Sequence, residues 1–469
     1  MARGIRALRA RIFPDNWAGL LGEITLANFV VCGLSGILLA TLYDPSTEQV
    51  FYAGPYEPLH GIGMSRALES TLQISFEVQG GLLLRQVHNW SASLMIATLI
   101  VHILHIYFSG RFRAPARLRW LALFALLFVA MGAGMTGSIL PDDMLSGSSL
   151  AVLDGILKAI PLIGLRMSDT LFQGQFPSGA IGTMYPLHLY ALPTLMAVLF
   201  AAIAYLGLPD RPGRLAVLRG DVLEDAAGPG AAARPRPLRL IAARTGGTIL
   251  ITFAIVTGFS AAVSVNPVWS YGPADPGNAA AGAGAVWYLA FLDGAQRLVP
   301  PGWELVVADR TVVLALLAPI TLVGVFFVAA LAYPFLESRF ARGRARRAPG
   351  GKPHHHPVRT SVGVAAIVFY GTLWAAAGSD VIALLFQLSN ARVIQVLQLT
   401  LLLGPLLGFA VTWFLCAGLR RREAEIAEHG MPTGRIIRTP EGGYIEAHAP
   451  VQGAGALESA GGRRLDAGS

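Results

Sequence analysis

The sequence predicts an all-α polytopic membrane protein with eight spanning helices, and three observations predict it. Of 469 residues, 54% are hydrophobic and only 14% charged, with a mean hydropathy of +0.55, whereas an average soluble domain carries about 25% charged residues. Apolar runs of about 20 residues, the length that crosses a bilayer, recur eight times, and basic residues are concentrated in alternate connections between them. This composition excludes a soluble cytosolic enzyme. The net charge of +8, from 36 Lys+Arg against 28 Asp+Glu, reads as membrane orientation rather than nucleic-acid binding.

The elements follow in order. Residues 1–21 begin MARGIRALRARIFPDNW. This stretch is basic, meets its first apolar run near residue 24 and lacks a small-residue cleavage site, so it reads as a retained cytoplasmic segment. Spans are expected at 22–43, 86–108, 120–140, 184–208, 245–265, 311–335, 361–378 and 394–418, separated by Gly/Pro-rich or charged connections. The first four form one unit, 22–208, and a cytoplasmic linker follows at 209–244. The last four form a second unit, 245–418, with a long loop at 266–310. Residues 419–469 make a cytoplasmic tail whose last 15 residues read as disordered. Cys32 and Cys416 sit in apolar runs as small packing residues, and the absence of a CxxCH sequence excludes covalent c-type haem.

Charge tests the alternation of sides. With the N-terminus inside, the inner segments carry 29 basic and 14 acidic residues, a net +15, and the outer segments carry 7 basic and 14 acidic, a net −7. Such asymmetry fits an even number of spans with both termini cytoplasmic, and the expected location is the plasma membrane, with a multi-pass topology.

Of ten histidines, four fall in spans: His88, His102, His105 and His188. One intramembrane histidine is explained equally well by a hydrogen bond to a neighbouring helix or by function. Spacing shifts the balance toward function. His88 and His102 are 14 residues apart in the second span, about 40° short of four full turns and about 21 Å along the axis. They share a face, at the separation that hangs two stacked haems in one four-helix bundle. His188 opens the fourth span, which runs in the same direction as the second, so it lies level with His88 and the two can ligate one haem. Gly22 and Gly36 repeat the 14-residue spacing in the first span and Gly137 lies near the end of the third. Beside the histidines, these glycines provide the room a porphyrin edge needs.

At these residues the chain resembles the cytochrome b subunit of respiratory cytochrome bc complexes, specifically the actinobacterial menaquinol–cytochrome c reductase type. The resemblance runs through STLQISFEVQGGLLLRQVHNW (70–90), GSILPDDMLSG (137–147), FPSGAIGTMYPLH (176–188), VNPVWSYGPADP (265–276), WYLAFLDGAQRLVPPGWE (287–304) and VGVAAIVFYGTLWAAAGSDVIA (362–383). It implies eight helices with a haem-binding four-helix bundle in the N-terminal half, haem b as cofactor, and menaquinol as substrate. It also implies a Rieske iron–sulfur subunit and a cytochrome c subunit as partners, in a dimeric complex within the lipid membrane. By the same resemblance His88 and His188 hold the outer haem iron, Arg85 contacts a propionate, Gly36 and Gly137 make room for the ring, and His102 is an inner-haem ligand. Trp287 and Tyr288 line a quinol pocket.

The departures cluster. The inner ligand expected on the fourth span is replaced by Ile203, with Ala202 beside it; a glycine expected three residues after Trp120 is Leu123; and an arginine expected three residues after the inner ligand is His105. Met196 is the one soft side chain nearby, about a helical turn or more from the required level. These three losses all strike the inner haem, so one b haem is expected where the family carries two. The family's Pro-Asp/Glu-Trp-Tyr motif reads Ala285-Val286-Trp287-Tyr288 here, without the carboxylate that would accept a quinol proton, and Ser138 replaces an expected aromatic residue. Asp142 and Asp143 read as a helix-capping turn.

Two functions compete: an electron-transfer subunit retaining the outer haem without full electron bifurcation, and a non-catalytic scaffold or regulatory paralogue. A weaker third is a quinone-binding cytochrome serving another oxidoreductase. His354-His355-His356, in RARRAPGGKPHHHP, reads as a solvated basic linker that also suits anionic lipid headgroups, since no partner ligand for a metal stands nearby in sequence.

Overall fold

In a computed structural model the described residues are 17–113, 116–160, 162–173, 179–207, 238–275, 286–300, 302–307, 310–340, 352–438, 440 and 442–449. Residues 1–16 of the N-terminal segment, most of the linker, Ala285 and the end of the tail lie outside them. Among the described residues, eight helices are long and apolar enough to cross a membrane: Trp17–Ala40, Gly81–Ser109, Arg117–Ile139, Gly179–Gly207, Leu238–Ala262, Leu314–Phe340, Pro357–Ala377 and Asn390–His429. Large apolar side chains stay exposed along them, among them Leu34, Ile37 and Leu38 on the first and Leu402, Leu406 and Phe414 on the eighth. In water such a surface would drive association; hydrocarbon solvates it, while the helices satisfy their own backbone polar groups.

The ends differ from the sequence expectation for local reasons. The second span starts at Gly81, ahead of residue 86, because Gly80 adopts φ +75°, and a Cβ on Gly81 would collide with the Ile74 carbonyl. Only glycine permits this close reversal out of the preceding helix, Arg66–Phe76. The fifth span begins before residue 245 and carries Arg244 to Glu23 of the first, at 2.8 Å. The eighth runs on to His429 through RRREAEIAEH, whose Arg, Glu and Ala are strong helix formers. Two antiparallel strands, Met431–Arg438 and Tyr444–Ala449, then form a hairpin within the segment read as a polar tail.

Two connections are folded rather than loose. Residues 44–80 hold a short hairpin, Gln49–Phe51 with Gly63–Ser65, and the helix Arg66–Phe76. Tyr52, Leu59, Met64, Leu68 and Leu72 bury against Val268 from the loop after the fifth span. After the third span, the helices Met144–Ala159 and Gly164–Phe172 pack Leu150 and Phe172 onto Ile139 and Met184. These two layers are stitched together: Met144 N–H donates to the Gly272 carbonyl (3.0 Å) and Ala274 N–H to that of Asp142 (3.2 Å).

Polar side chains fix helix to helix inside the apolar frame. Gln86 on the second span donates to the Val265 carbonyl (2.9 Å) and accepts from Val265 N–H (2.8 Å), and Trp90 Nε1 donates to the Val263 carbonyl (2.8 Å). Arg113 grips Glu337 of the sixth span through two N–H donors at 2.9 and 3.0 Å.

The chain divides into two compact units, 1–349 with 370–398, and 350–369 with 399–469. In the second, Gly404 and Gly408 lie four residues apart on the eighth span. A Cβ at Gly404 would stand 2.9 Å from Val368, and one at Gly408 3.3 Å from it, the close helix approach that small residues four apart allow.

Candidate functional site

His88 and His188 come together as the sequence predicts, their ring centroids 6.1 Å apart and their planes inclined at 76°. The fourth span aims His188 through a local defect. Pro186 stands inside the helix, and the next five residues, Leu187–Ala191, form a π-turn that carries His188. Such π-turns recur at functional sites.

Each imidazole is seated in the same way on a helix opposite. His88 Nδ1 lies 3.0 Å from the Cys32 carbonyl, one turn before Gly36, and His188 Nδ1 lies 2.9 Å from the Ala133 carbonyl, one turn before Gly137. The hydroxyl of the residue ahead of each glycine completes the seat. Ser35 Oγ stands 3.2 Å from His88 Nδ1 and Thr136 Oγ1 stands 3.2 Å from His188 Nδ1. Both hydroxyls spend their protons on their own helix, Ser35 on Val31 (2.8 Å) and Thr136 on Gly132 (3.0 Å). A carbonyl oxygen can only accept, so each Nδ1 carries the proton and each Nε2 is the lone-pair nitrogen; the Cys32 thiol also lies 3.6 Å from His88 Nδ1. This carbonyl-bound tautomer is the one metal-ligating histidines adopt.

The glycines are required by the rings themselves. A Cβ at Gly36 would fall 2.9 Å from His88 Cε1, and one at Gly137 2.5 Å from His188 Cε1. Two histidines with matched tautomers and a glycine cradle on each facing helix are a donor set that fits a bis-imidazole haem.

The other candidates border this pair. Arg85, one turn before His88, is buried and donates from Nη1 to Ser75 Oγ at 2.6 Å. Tyr288 is buried with its hydroxyl against Gly134, where a Cβ would collide with it. Burial pushes its phenol up, and the nearby Cys32 thiol adds to this. Trp287 packs beside Tyr288 at 5.6 Å, stays partly exposed, and accepts on its carbonyl from Trp374 Nε1 (3.0 Å). Asp143 caps the helix Met144–Ala159, its Oδ1 accepting from Ser146 N–H (2.9 Å) and hydroxyl (2.6 Å). Burial pushes the Asp143 carboxyl up, while Ser146 and then Arg85 pull it down.

The inner region is built differently. His102 is buried, yet its Nδ1 has no hydrogen-bond partner, and a Cβ at Gly22 would sit at an ordinary 3.6 Å from its ring. Leu123 and Ile203 are buried here too. The cavity beside His102, lined by Arg119, Trp120 and Leu123, has about 120 Å³, below the roughly 300–1,000 Å³ of small-molecule sites. Neither Leu123 nor Ile203 carries an atom that ligates a metal.

Sequence reasoning passed over Ser35, Thr136 and Gly134. Its available signal was a hydroxyl residue directly before each cradle glycine, Ser35-Gly36 and Thr136-Gly137.

Eight apolar helices, with paired histidines of the second and fourth seated on the first and third, define a polytopic membrane protein of the haem-bundle class. The family model described as "Cytochrome b(N-terminal)/b6/petB" matches residues 93–273. The chain is 35% identical to the "Cytochrome bc1 complex cytochrome b subunit" of Streptomyces coelicolor, covering 95% of this chain and 81% of that one. Identity is 36% to the Corynebacterium diphtheriae subunit of the same name (96% and 82% covered) and 36% to that of Mycobacterium tuberculosis (94% and 79%). A solved chain titled "Hyperthermophilic respiratory Complex III" shares the fold, with a TM-score of 0.59 at 16% identity, over 88% of this chain and 98% of that one. The chain belongs to the cytochrome b subunit family of cytochrome bc1 complexes.

Proposed function

We propose that the chain is the membrane electron-carrying subunit of a respiratory quinol–cytochrome c reductase, retaining one b-type haem at the outer His88–His188 pair and lacking the inner one. A haem held there supplies a one-electron redox centre. His88 and His188 present Nε2 to the iron while Cys32 and Ala133 hold their Nδ1 protons, Gly36 and Gly137 keep the rings clear, and Arg85 supplies positive charge for a propionate. Trp287 and Tyr288 form an aromatic wall for a quinol ring. The relatives' names support assembly into a cytochrome bc1 complex, and the charge asymmetry supports both termini being cytoplasmic; the motif resemblance implies a Rieske protein and a cytochrome c subunit as partners in a dimeric plasma-membrane complex.

The observation that carries this reading is the matched seating of the two outer imidazoles, against an inner histidine whose Nδ1 has no hydrogen-bond partner among the described residues. A pyridine haemochrome assay on the purified full chain is expected to give one haem per polypeptide, and two would overturn the one-haem reading. Val286, where the family places a carboxylate, favours a second reading, a non-catalytic scaffold. That reading expects no dithionite-reducible b-type band in purified membranes.

A further inference from the structure

Lys352 to His356 form a tight turn just before the seventh span, and its backbone is fixed from several sides. His355 N–H donates to the Lys352 carbonyl and His356 N–H to that of Pro353, both at 3.0 Å, while Thr360 Oγ1 donates to the Pro353 carbonyl at 2.6 Å. The turn presents two neighbouring imidazoles to one carboxylate on the eighth span. Glu423 Oε2 lies 2.6 Å from His355 Nε2 and 3.0 Å from His354 Nε2. Its other oxygen, Oε1, receives Lys352 Nζ at 2.6 Å. Among the described residues, no other trio of His, Cys, Asp and Glu side chains converges this way.

Protons on the rings do not fully satisfy this arrangement. His354 Nε2 is buried 3.0 Å from the carboxylate and, among the described residues, makes no well-aligned hydrogen bond. A cation shared among the three ligand atoms removes that deficit. The three atoms lie within 4.8 Å of one another, and bonds of about 2.0–2.2 Å in a tetrahedral zinc site place ligand atoms roughly 3.3 Å apart. Small side-chain rotations therefore bring them into register. Two imidazoles and one carboxylate suit a borderline first-row ion such as zinc and leave one position for water.

We propose that His354, His355 and Glu423 form a divalent transition-metal site that clips the turn before the seventh span to the end of the eighth. Lys352 is its competitor, because its ammonium neutralises the same carboxylate. The site is independent of the haem pair and of the quinol reading.

The test uses the full-length chain purified in detergent, stripped with a chelator and titrated with Zn²⁺ by equilibrium dialysis, with Co²⁺ absorption as a second readout. One saturable Zn²⁺ per chain is expected, with a thermal midpoint that rises on loading. Glu423→Gln and His354→Ala should each weaken binding by more than about tenfold, since even an outer-shell partner is worth 10–100-fold. Lys352→Ala, on an exposed side chain, should bind at least as tightly as the parent and serves as a variant whose folding is not in question. No saturable binding, binding undiminished by Glu423→Gln, or binding weakened by Lys352→Ala would each overturn the proposal.

Discussion

Two glycines separate this histidine pair from an ordinary packed helix contact, and they do so by distance. At Gly137 a methyl group would stand 2.5 Å from the His188 ring, and at Gly22 a methyl would stand 3.6 Å from His102. The first is an overlap and the second is normal van der Waals contact. Gly137→Ala should therefore displace His188 from the Ala133 carbonyl, abolish most of the b-type absorbance per polypeptide and destabilise the chain by about 1–3 kcal/mol. Gly22→Ala should leave the spectrum intact and change stability by less than about 0.5 kcal/mol. Visible spectra and thermal midpoints of the two variants check this; equal spectral loss in both would show that the glycines are not what seats the outer ring.

At the scale of elements, hydropathy located every span but not its ends. The spans are legible because about 20 apolar residues admit few alternatives in a bilayer. Their ends depend on partners distant in sequence: Gly81 stops against Ile74, and Arg244 is helical where it reaches Glu23. Periodicity puts His88 and His102 on one face, and both rings stand against the first span, at Gly36 and Gly22, whereas the π-turn that carries His188 leaves no mark in the hydropathy pattern. Glu423 could not be linked to His354 and His355 at all, because nothing in the chain between them marks the approach. The clearest of these long-range ties is the amide of Gln86, which serves both the N–H and the carbonyl of Val265. Gln86→Leu keeps the volume and leaves two backbone groups unpaired, so stability should fall by about 1–3 kcal/mol. Gln86→Glu retains the acceptor for Val265 N–H and should fall between parent and Leu; an unchanged thermal midpoint for Gln86→Leu would mean the clamp contributes nothing.

Over the whole molecule the distribution of charge carries the proposed orientation, because Lys and Arg near span ends are held on the cytoplasmic side as a membrane protein inserts. The net +15 of one set of segments and −7 of the other place Glu57, in the first folded connection, outside and Ala424, near the end of the eighth span, inside. Both side chains are exposed, and the two native cysteines are poor competitors for a reagent, Cys416 being buried and Cys32 lying within the first span against His88. A membrane-impermeant maleimide applied to intact cells should label Glu57→Cys and spare Ala424→Cys, and permeabilisation should expose the second. Under that proposed orientation the His88–His188 pair would lie near the outer face and the His354–Glu423 turn on the cytoplasmic side. Labelling in the reverse order would invert both assignments together, since an even number of spans leaves the two ends on one side whichever side that is.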